Sequence, residues 1–178
     1  EQGKYIGDGS APAYDWQGWI PREHVPHVKN PERSFVSSAN QSATDLNYPY
    51  YLGSDYAAFE RGARINEYLG AKSNLTPQDM MNLQNDIVSL FAQKVLPRLL
   101  EVVPVKKLNA EQMKLYETLA AWKYEYRSDF AAPLIFNTWW RELFELIWKD
   151  DMKIGETELK YPRRDVTMSL VLNEPANS

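Results

Sequence analysis

The chain has 178 residues, of which 44% are hydrophobic and 13% aromatic, enough to bury a core and unlike the composition of disordered proteins. Its net charge of −4, with acidic and basic residues intermixed, argues against nucleic-acid binding. Binding to a membrane surface is not predicted either, because the sequence has no Lys/Arg-rich helix face. The lack of cysteine excludes disulfides and thiolate–zinc sites, and no apolar run approaches the roughly 18 residues of a membrane span.

Residues 1–54 have the composition of loops and short strands. They hold five of the eight glycines and are rich in proline, tyrosine and asparagine. The pattern predicts one strand over 33–39, entered from a turn at 29–32, and a second short strand at Trp19-Ile20. We therefore expect a short N-terminal β-hairpin or strand pair.

Residues 55–150 are predicted to form a helical lobe of about four helices. Apolar residues at spacings of three and four predict the first helix over 55–69. Thr76 has the N-cap position of a second helix, with Pro77 at its first position. This second helix is expected to continue as one long apolar-periodic run until Pro97 kinks or ends it.

Two further helices complete the predicted lobe. Asn109 is the expected N-cap of the third, with Gln112 three residues later. Pro133 is expected to start the fourth, whose aromatic stripe indicates either core packing or a face against another subunit. That stripe consists of Trp139, Trp140, Phe144 and Trp148. The pattern fades after Asp150.

The sequence thus predicts a mainly α protein in three parts. Residues 1–54 are the loop-rich segment with short strands, 55–150 the helical lobe and 151–178 a connecting tail. The sequences at the two ends of the chain resemble loop sequence, which favours a segment cut from a longer protein.

Asn40 and Arg61 are the residues best suited to carry chemistry. Asn40 follows the predicted strand, where its amide offers two uncharged N–H donors of the kind that stabilise the oxyanion in acyl transfer. Arg61 lies on the apolar face of the first helix, so its guanidinium needs a partner or a cavity. Composition alone favours the simpler alternatives, a turn-capping role for Asn40 and a surface role for Arg61.

The run over 30–41, NPERSFVSSANQ, resembles the signature of the penicillin acylase family. Further similar segments follow in the family's order: 48–53, Arg61 to Ile65, 75–81 and 132–139, with 15–21 upstream. Ser34 stands where many relatives have glycine. The resemblance covers nearly the whole chain, and its specific part is 30–65.

The resemblance implies an internal fragment of the large subunit of an αββα N-terminal-nucleophile amide hydrolase, matured by self-cleavage. In this family the N-terminal serine of the large subunit is the nucleophile, and its own α-amine is the base. Asn40 matches the asparagine that completes the oxyanion hole, and Arg61 the arginine near that amine. The serine is expected upstream of Glu1, so the chain alone should be inactive.

The resemblance also implies the partners and surroundings of the chain. The partners would be the small subunit, the rest of the large subunit and an N-acyl amide substrate such as a β-lactam or an acyl-homoserine lactone. No cofactor is required for the chemistry. Relatives often carry structural calcium, but Asp45 and Asp55 do not match its ligands residue by residue, and the metal stays unassigned. Relatives are commonly exported, which implies a periplasmic or secreted location, and the isolated fragment is expected to self-associate.

Two other hypotheses come from different classes. A non-catalytic helical binding domain would use aromatic loops to contact a partner, and it is favoured if Asn40 is exposed with no cleft beside it. A stand-alone hydrolase would need internal serines with a histidine base. The available groups are Ser10, Ser37, Ser38, His24 and His27. The same two histidines are a poor metal site because no acidic partners lie at helical spacing from them.

Overall fold

A computed structural model of the chain describes residues 6–154 and 157–173. These residues form six α-helices and one small antiparallel strand pair, β1 and β2. The helices are α1 Phe59–Gly70, α2 Pro77–Gln84, α3 Leu90–Glu101, α4 Ala110–Ala120, α5 Ala132–Trp148 and α6 Arg164–Asn173. The strands are β1 Lys153–Ile154 and β2 Thr157–Glu158. The chain divides into two compact units, Glu1–Met80 and Met81–Ser178.

The mainly α prediction is confirmed, but the predicted N-terminal hairpin is not seen. Within residues 6–54 the structure has no strand. Most of the predicted strand, residues 35–39, instead lies between two residues in the left-handed conformation, Ser34 (φ 60°) and Asn40 (φ 62°). A strand requires a neighbouring strand to bond its backbone groups, and the alternation of side chains in one segment does not supply that neighbour. The strand pair of the structure instead consists of Lys153–Ile154 and Thr157–Glu158.

The first unit contains α1 and the start of α2. The predicted start of α1 is four residues early, because the helix begins at Phe59. The predicted cap of α2 is confirmed: the Asp79 backbone N–H donates to the Thr76 Oγ1 at 3.2 Å, and the Thr76 N–H donates to the Asp79 carboxylate at 2.9 Å. This reciprocal pair satisfies backbone donors that the first turn of a helix leaves unbonded.

The long second helix of the prediction is broken in two. Between α2 and α3 the chain pairs with a distant segment: the Tyr126 N–H donates to the Ile87 carbonyl at 3.0 Å, and the Ser89 N–H to the Tyr124 carbonyl at 2.9 Å. Ser89 then caps α3 through its side chain. Pro97, which was expected to kink or end the run, lies inside α3.

The core of the second unit lies where α3, α4 and α5 meet. Phe136 is fully buried in α5, and its ring lies 5.7 Å from those of Phe91 and Trp122. Trp140 meets Phe91 edge to face at 4.9 Å, an arrangement that aromatic rings favour. The core role expected for the aromatic stripe of α5 is confirmed for Trp140.

The α5 and α6 helices are joined by a buried polar contact. The Trp148 indole N–H donates to the hydroxyl of Thr167, which is fully buried, at 2.8 Å. The α6 helix contacts α3 and has no counterpart among the helices predicted from the sequence. Among the described residues, no helix is both long and apolar enough to cross a membrane.

Candidate functional site

The structure brings Asn40 and Arg61 into direct contact within the first unit. One guanidinium nitrogen of Arg61, Nη2, donates to the Asn40 side-chain oxygen at 2.5 Å and to the Ala39 carbonyl at 3.0 Å. The Asn40 carbonyl in turn accepts from the Ala57 N–H at 2.8 Å, just before α1 begins. The start of α1 therefore holds Asn40 by its side chain and by its backbone.

The backbone conformation of Asn40 suits its residue type. With φ at 62°, the residue occupies the left-handed region, which asparagine tolerates better than most non-glycine residues. This turn follows residues 35–39 and directs the Asn40 amide towards Arg61. Asn40 therefore forms the turn through its backbone conformation, whereas its side chain contacts Arg61.

Three neighbours shape this turn, and the sequence analysis missed them as site residues. The Gln41 side-chain oxygen accepts from the Ala39 N–H at 2.6 Å. Ala39 and Gly62 are buried, and a Cβ added at Gly62 would lie 3.5 Å from the same Gln41 oxygen. A glycine inside a predicted helix is a recognisable signal, because it costs helix stability and marks close packing.

A second set of hydrogen bonds ties the segment before Asn40 to α1. The Asn66 side-chain oxygen accepts from the Ser37 hydroxyl at 2.7 Å and from the Arg33 guanidinium at 3.0 Å. Arg33 also donates to the Phe35 carbonyl at 3.0 Å. The extended segment is therefore held by helix side chains rather than by a neighbouring strand.

The contact with Arg61 fixes the orientation of the Asn40 amide. A guanidinium carries only donors, so the atom of Asn40 that faces it must be the oxygen. The Nδ2 group, with its two N–H donors, then lies on the side of the amide away from Arg61. The positive charge also polarises the amide and strengthens those donors.

The site is open in this chain. Asn40 and Arg61 are both exposed, and the partners that the Arg61 guanidinium was expected to need are the Asn40 side chain and the Ala39 carbonyl. The guanidinium of Arg61 bonds to the loop at the Ala39 carbonyl and also reaches the amide of Asn40. The expected proximity of the two side chains is what the structure shows.

The internal serines do not pair with the histidines. The Ser10 hydroxyl donates to Asp8, at 2.6 Å, and that of Ser37 to Asn66. The His24 Nδ1 lies 2.8 Å from the Tyr50 hydroxyl, and the His27 Nδ1 lies 2.9 Å from the Val25 carbonyl. These contacts give no support to a stand-alone hydrolase.

The acidic residues considered for calcium do not form a cluster. The Asp45 carboxylate accepts from the Asn47 N–H at 2.9 Å, which is a local turn. In residues 6–154 and 157–173, no group of three or more His, Asp or Glu side chains is arranged to hold a metal ion. Asp45 and Asp55 therefore belong to no such group within the described part of the chain.

Comparison with known proteins places this geometry in a family. The sequence profile of the penicillin amidase family matches residues 1–177. The chain belongs to the penicillin amidase family. Asn40 and Arg61 both lie within the matched region, as do the residues that hold them. No solved structure matches the chain at a significant level.

Curated relatives carry two kinds of name. The chain is 28% identical to the penicillin acylase 2 proenzyme of Pseudomonas sp. (strain SE83) over 134 residues, which cover 75% of the chain and 17% of that protein. It is 26% identical to the acyl-homoserine lactone acylase QuiP of Pseudomonas fluorescens over 164 residues, which cover 82% of the chain and 20% of that protein. It is 30% identical to the acyl-homoserine lactone acylase QuiP of Pseudomonas putida over 94 residues, which cover 53% of the chain and 11% of that protein. The chain thus spans at most about a fifth of the length of these relatives.

Proposed function

We propose that the chain is part of a penicillin-acylase-like amidohydrolase that cleaves the amide bond of N-acyl compounds, β-lactam antibiotics or acyl-homoserine lactones. The observation that carries the proposal is the Asn40 amide, turned by Arg61 so that its two N–H donors lie away from the guanidinium. The family membership of the chain and the names of its relatives support the reaction class.

The chemistry begins at a serine outside this chain. Its Oγ attacks the carbonyl carbon of the substrate amide, and its own α-amine accepts the hydroxyl proton. The carbonyl oxygen becomes negatively charged as the tetrahedral intermediate forms. Expulsion of the protonated amine leaves an acyl-serine ester, which water then hydrolyses to the free acid.

In these reaction steps, Asn40 is assigned the role of binding the oxyanion. Its Nδ2 group would donate to the developing negative charge, and donors that are already oriented cost little reorganisation when the charge forms. Arg61 is a positioning residue through its contact with the amide. In addition, a fixed cation near the serine's α-amine would disfavour the protonated amine and keep it available as a base.

Several wider properties belong to the same proposal. The chain would work with the small subunit and the remainder of the large subunit after self-cleavage of a precursor, in the periplasm or outside the cell. No cofactor would be needed for the chemistry, and the ligands of any structural calcium in the parent enzyme stay unassigned. The chain alone would not hydrolyse amides, because the serine that supplies both the nucleophile and the free amine would belong to another part of the enzyme.

The oxyanion role can be tested with two substitutions in the complete enzyme. Asn40→Gly removes the amide and allows the left-handed backbone, whereas Asn40→Ala removes the amide and also strains the backbone. Both should lower kcat by about 10²–10³-fold, which corresponds to roughly 3–4 kcal/mol. Turnover near that of the wild type in Asn40→Gly would rule out the proposed role. Asn47→Ala is the matched control, because Asn47 is an exposed asparagine of the same unit.

The alternative is a non-catalytic binding domain. It is favoured by the exposure of Asn40 and by the Trp16–Trp19 pair, whose side chains are 87% and 89% exposed with ring centroids 5.9 Å apart. The reading frame upstream of Glu1 separates the two proposals. An acylase requires a small-subunit region, a spacer and a serine at the cleavage point, and a binding domain requires none of them.

A further inference from the structure

The second unit has an apolar groove between α4 and α5 that the chemistry above does not use. Eight of its ten lining residues are aliphatic or aromatic side chains from these helices and the segment before α4, among them Val103, Leu108, Leu115, Leu119, Leu134 and Trp139. The groove encloses about 580 Å³, and we call it the α4–α5 groove.

The walls of the groove carry no formal charge. None of the ten described residues that line it is Asp, Glu, Lys or Arg. A charged occupant would lose hydration here without gaining an ion pair, so the groove fits an uncharged, apolar partner. Gln112 and Thr138 supply polar groups among the lining residues.

The exposure of two leucines argues for a polypeptide rather than a small molecule. Leu134 is 72% exposed and Leu115 48% exposed, so the groove is open to solvent at these two residues. Sites for small molecules usually enclose most of the ligand surface, whereas contiguous exposed apolar patches mark contacts with protein.

We propose that an apolar, uncharged segment of the remaining acylase polypeptide packs in the α4–α5 groove. The chain spans at most about a fifth of its relatives' length, so most of such an enzyme lies outside it. This inference rests on the proposed function, because it requires the chain to be part of a longer acylase. The groove would then become a buried interface in the complete enzyme.

Cysteine labelling tests the proposal directly, because the chain has no cysteine of its own. Leu134→Cys and Leu115→Cys place thiols in the groove. Leu146→Cys is the matched control, since Leu146 lies on the same helix as Leu134, is 81% exposed and does not line the groove. The rate of reaction with a maleimide would be measured at each position by peptide mass spectrometry, in the 178-residue chain and in the complete enzyme.

The expected result is specific protection of the groove. Both groove thiols should react readily in the chain alone and about tenfold more slowly in the complete enzyme, while the control changes little. Unchanged groove labelling, or equal protection at all three positions, would overturn the proposal. It would also be overturned if the groove thiols of the chain alone were protected by raising its concentration or by adding an acyl-homoserine lactone.

Amide hydrolysis measured on the same samples separates the two proposals. An active enzyme with unprotected groove thiols would refute the docking surface alone. An enzyme that is inactive towards every N-acyl substrate, but whose groove thiols are selectively protected, would refute the proposed function and support the docking surface.

Discussion

The guanidinium of Arg61 donates to the side-chain oxygen of Asn40 and to the carbonyl of the residue before it, both through Nη2. This double contact couples the direction of the amide to the position of the backbone turn. Neither group could rotate without loss of a hydrogen bond to a charged donor, which makes Arg61 the determinant of where the Asn40 donors point.

Loss of Arg61 should therefore reduce catalysis through Asn40. Arg61→Ala in the complete enzyme frees the amide to rotate, and kcat should fall about 10- to 100-fold, in line with the loss of a hydrogen bond to a charged group. KM should change little, and Arg61→Lys should recover part of the lost rate. Steady-state kinetics with an N-acyl substrate would measure both parameters.

Arg33→Ala is the control for the Arg61 variant. Arg33 belongs to the same unit but bonds to Asn66 and Phe35 rather than to Asn40, so its removal should leave kcat nearly unchanged. An Arg61→Ala enzyme with normal kcat, or an equal loss in Arg33→Ala, would contradict the positioning role.

The left-handed backbone at Asn40 gives a prediction about stability rather than activity. A left-handed conformation costs a residue with a Cβ roughly 1–2 kcal/mol, and glycine is free of this cost. Asn40→Ala should therefore lower the free energy of unfolding by about that amount more than Asn40→Gly. Urea unfolding of both variants would measure the difference, and equal stabilities would show that the turn relaxes.

Local signals predicted the parts of the fold that depend on adjacent residues. The caps at Thr76 and Asn109 were identified from residues three positions apart, and the structure has both. The break between α2 and α3 was missed, because it depends on backbone pairing of Ile87 and Ser89 with a segment more than 30 residues away. The apolar periodicity continues across the break and therefore gives no sign of it.

The candidate site was predictable in its residues but not in its surroundings. The sequence singles out Asn40 and Arg61 as candidates, and the structure brings their side chains into contact at the left-handed turn of Asn40. Gln41 and Asn66 could not be assigned from sequence, since each supports the site through side-chain bonds that only the folded loop brings together. The exposure of Arg61 was likewise hidden, because helix periodicity identifies a face without showing how far the packing extends along it.

The cap of α2 should be sensitive to pH. The Lys72 ammonium, 2.7 Å away, and the Thr76 hydroxyl and N–H hold the pKa of Asp79 well below its ordinary value of 3.8. A lowered folded-state pKa stabilises the fold above the unfolded-state pKa, and this contribution is lost as pH falls through the folded-state value. The Asp79 carboxylate raises the pKa of Lys72 above 10.5, so the lysine's contribution is lost only as pH rises through that higher value.

Asp79→Asn tests this pH dependence. The variant should unfold at a lower temperature than the wild type at neutral pH, and the difference should shrink as the pH is lowered below about 3.8. Thermal unfolding followed by circular dichroism across this range would measure it. Asp150→Asn, at an exposed acidic residue after α5, is the control. A difference that stays constant down to the lowest pH would contradict the assigned role of the charge.

The buried contact between α5 and α6 gives the last prediction. Thr167→Val keeps the shape of the fully buried side chain but removes the oxygen that accepts from the Trp148 indole N–H at 2.8 Å. The stranded donor should lower the free energy of unfolding by about 1–3 kcal/mol. Thr118→Val, at an exposed position on α4, should cost much less. In the double variant with Trp148→Phe, which removes the donor as well, the two losses should be less than additive because no stranded group is left. Fully additive losses in urea unfolding would mean that the hydrogen bond does not couple α6 to α5.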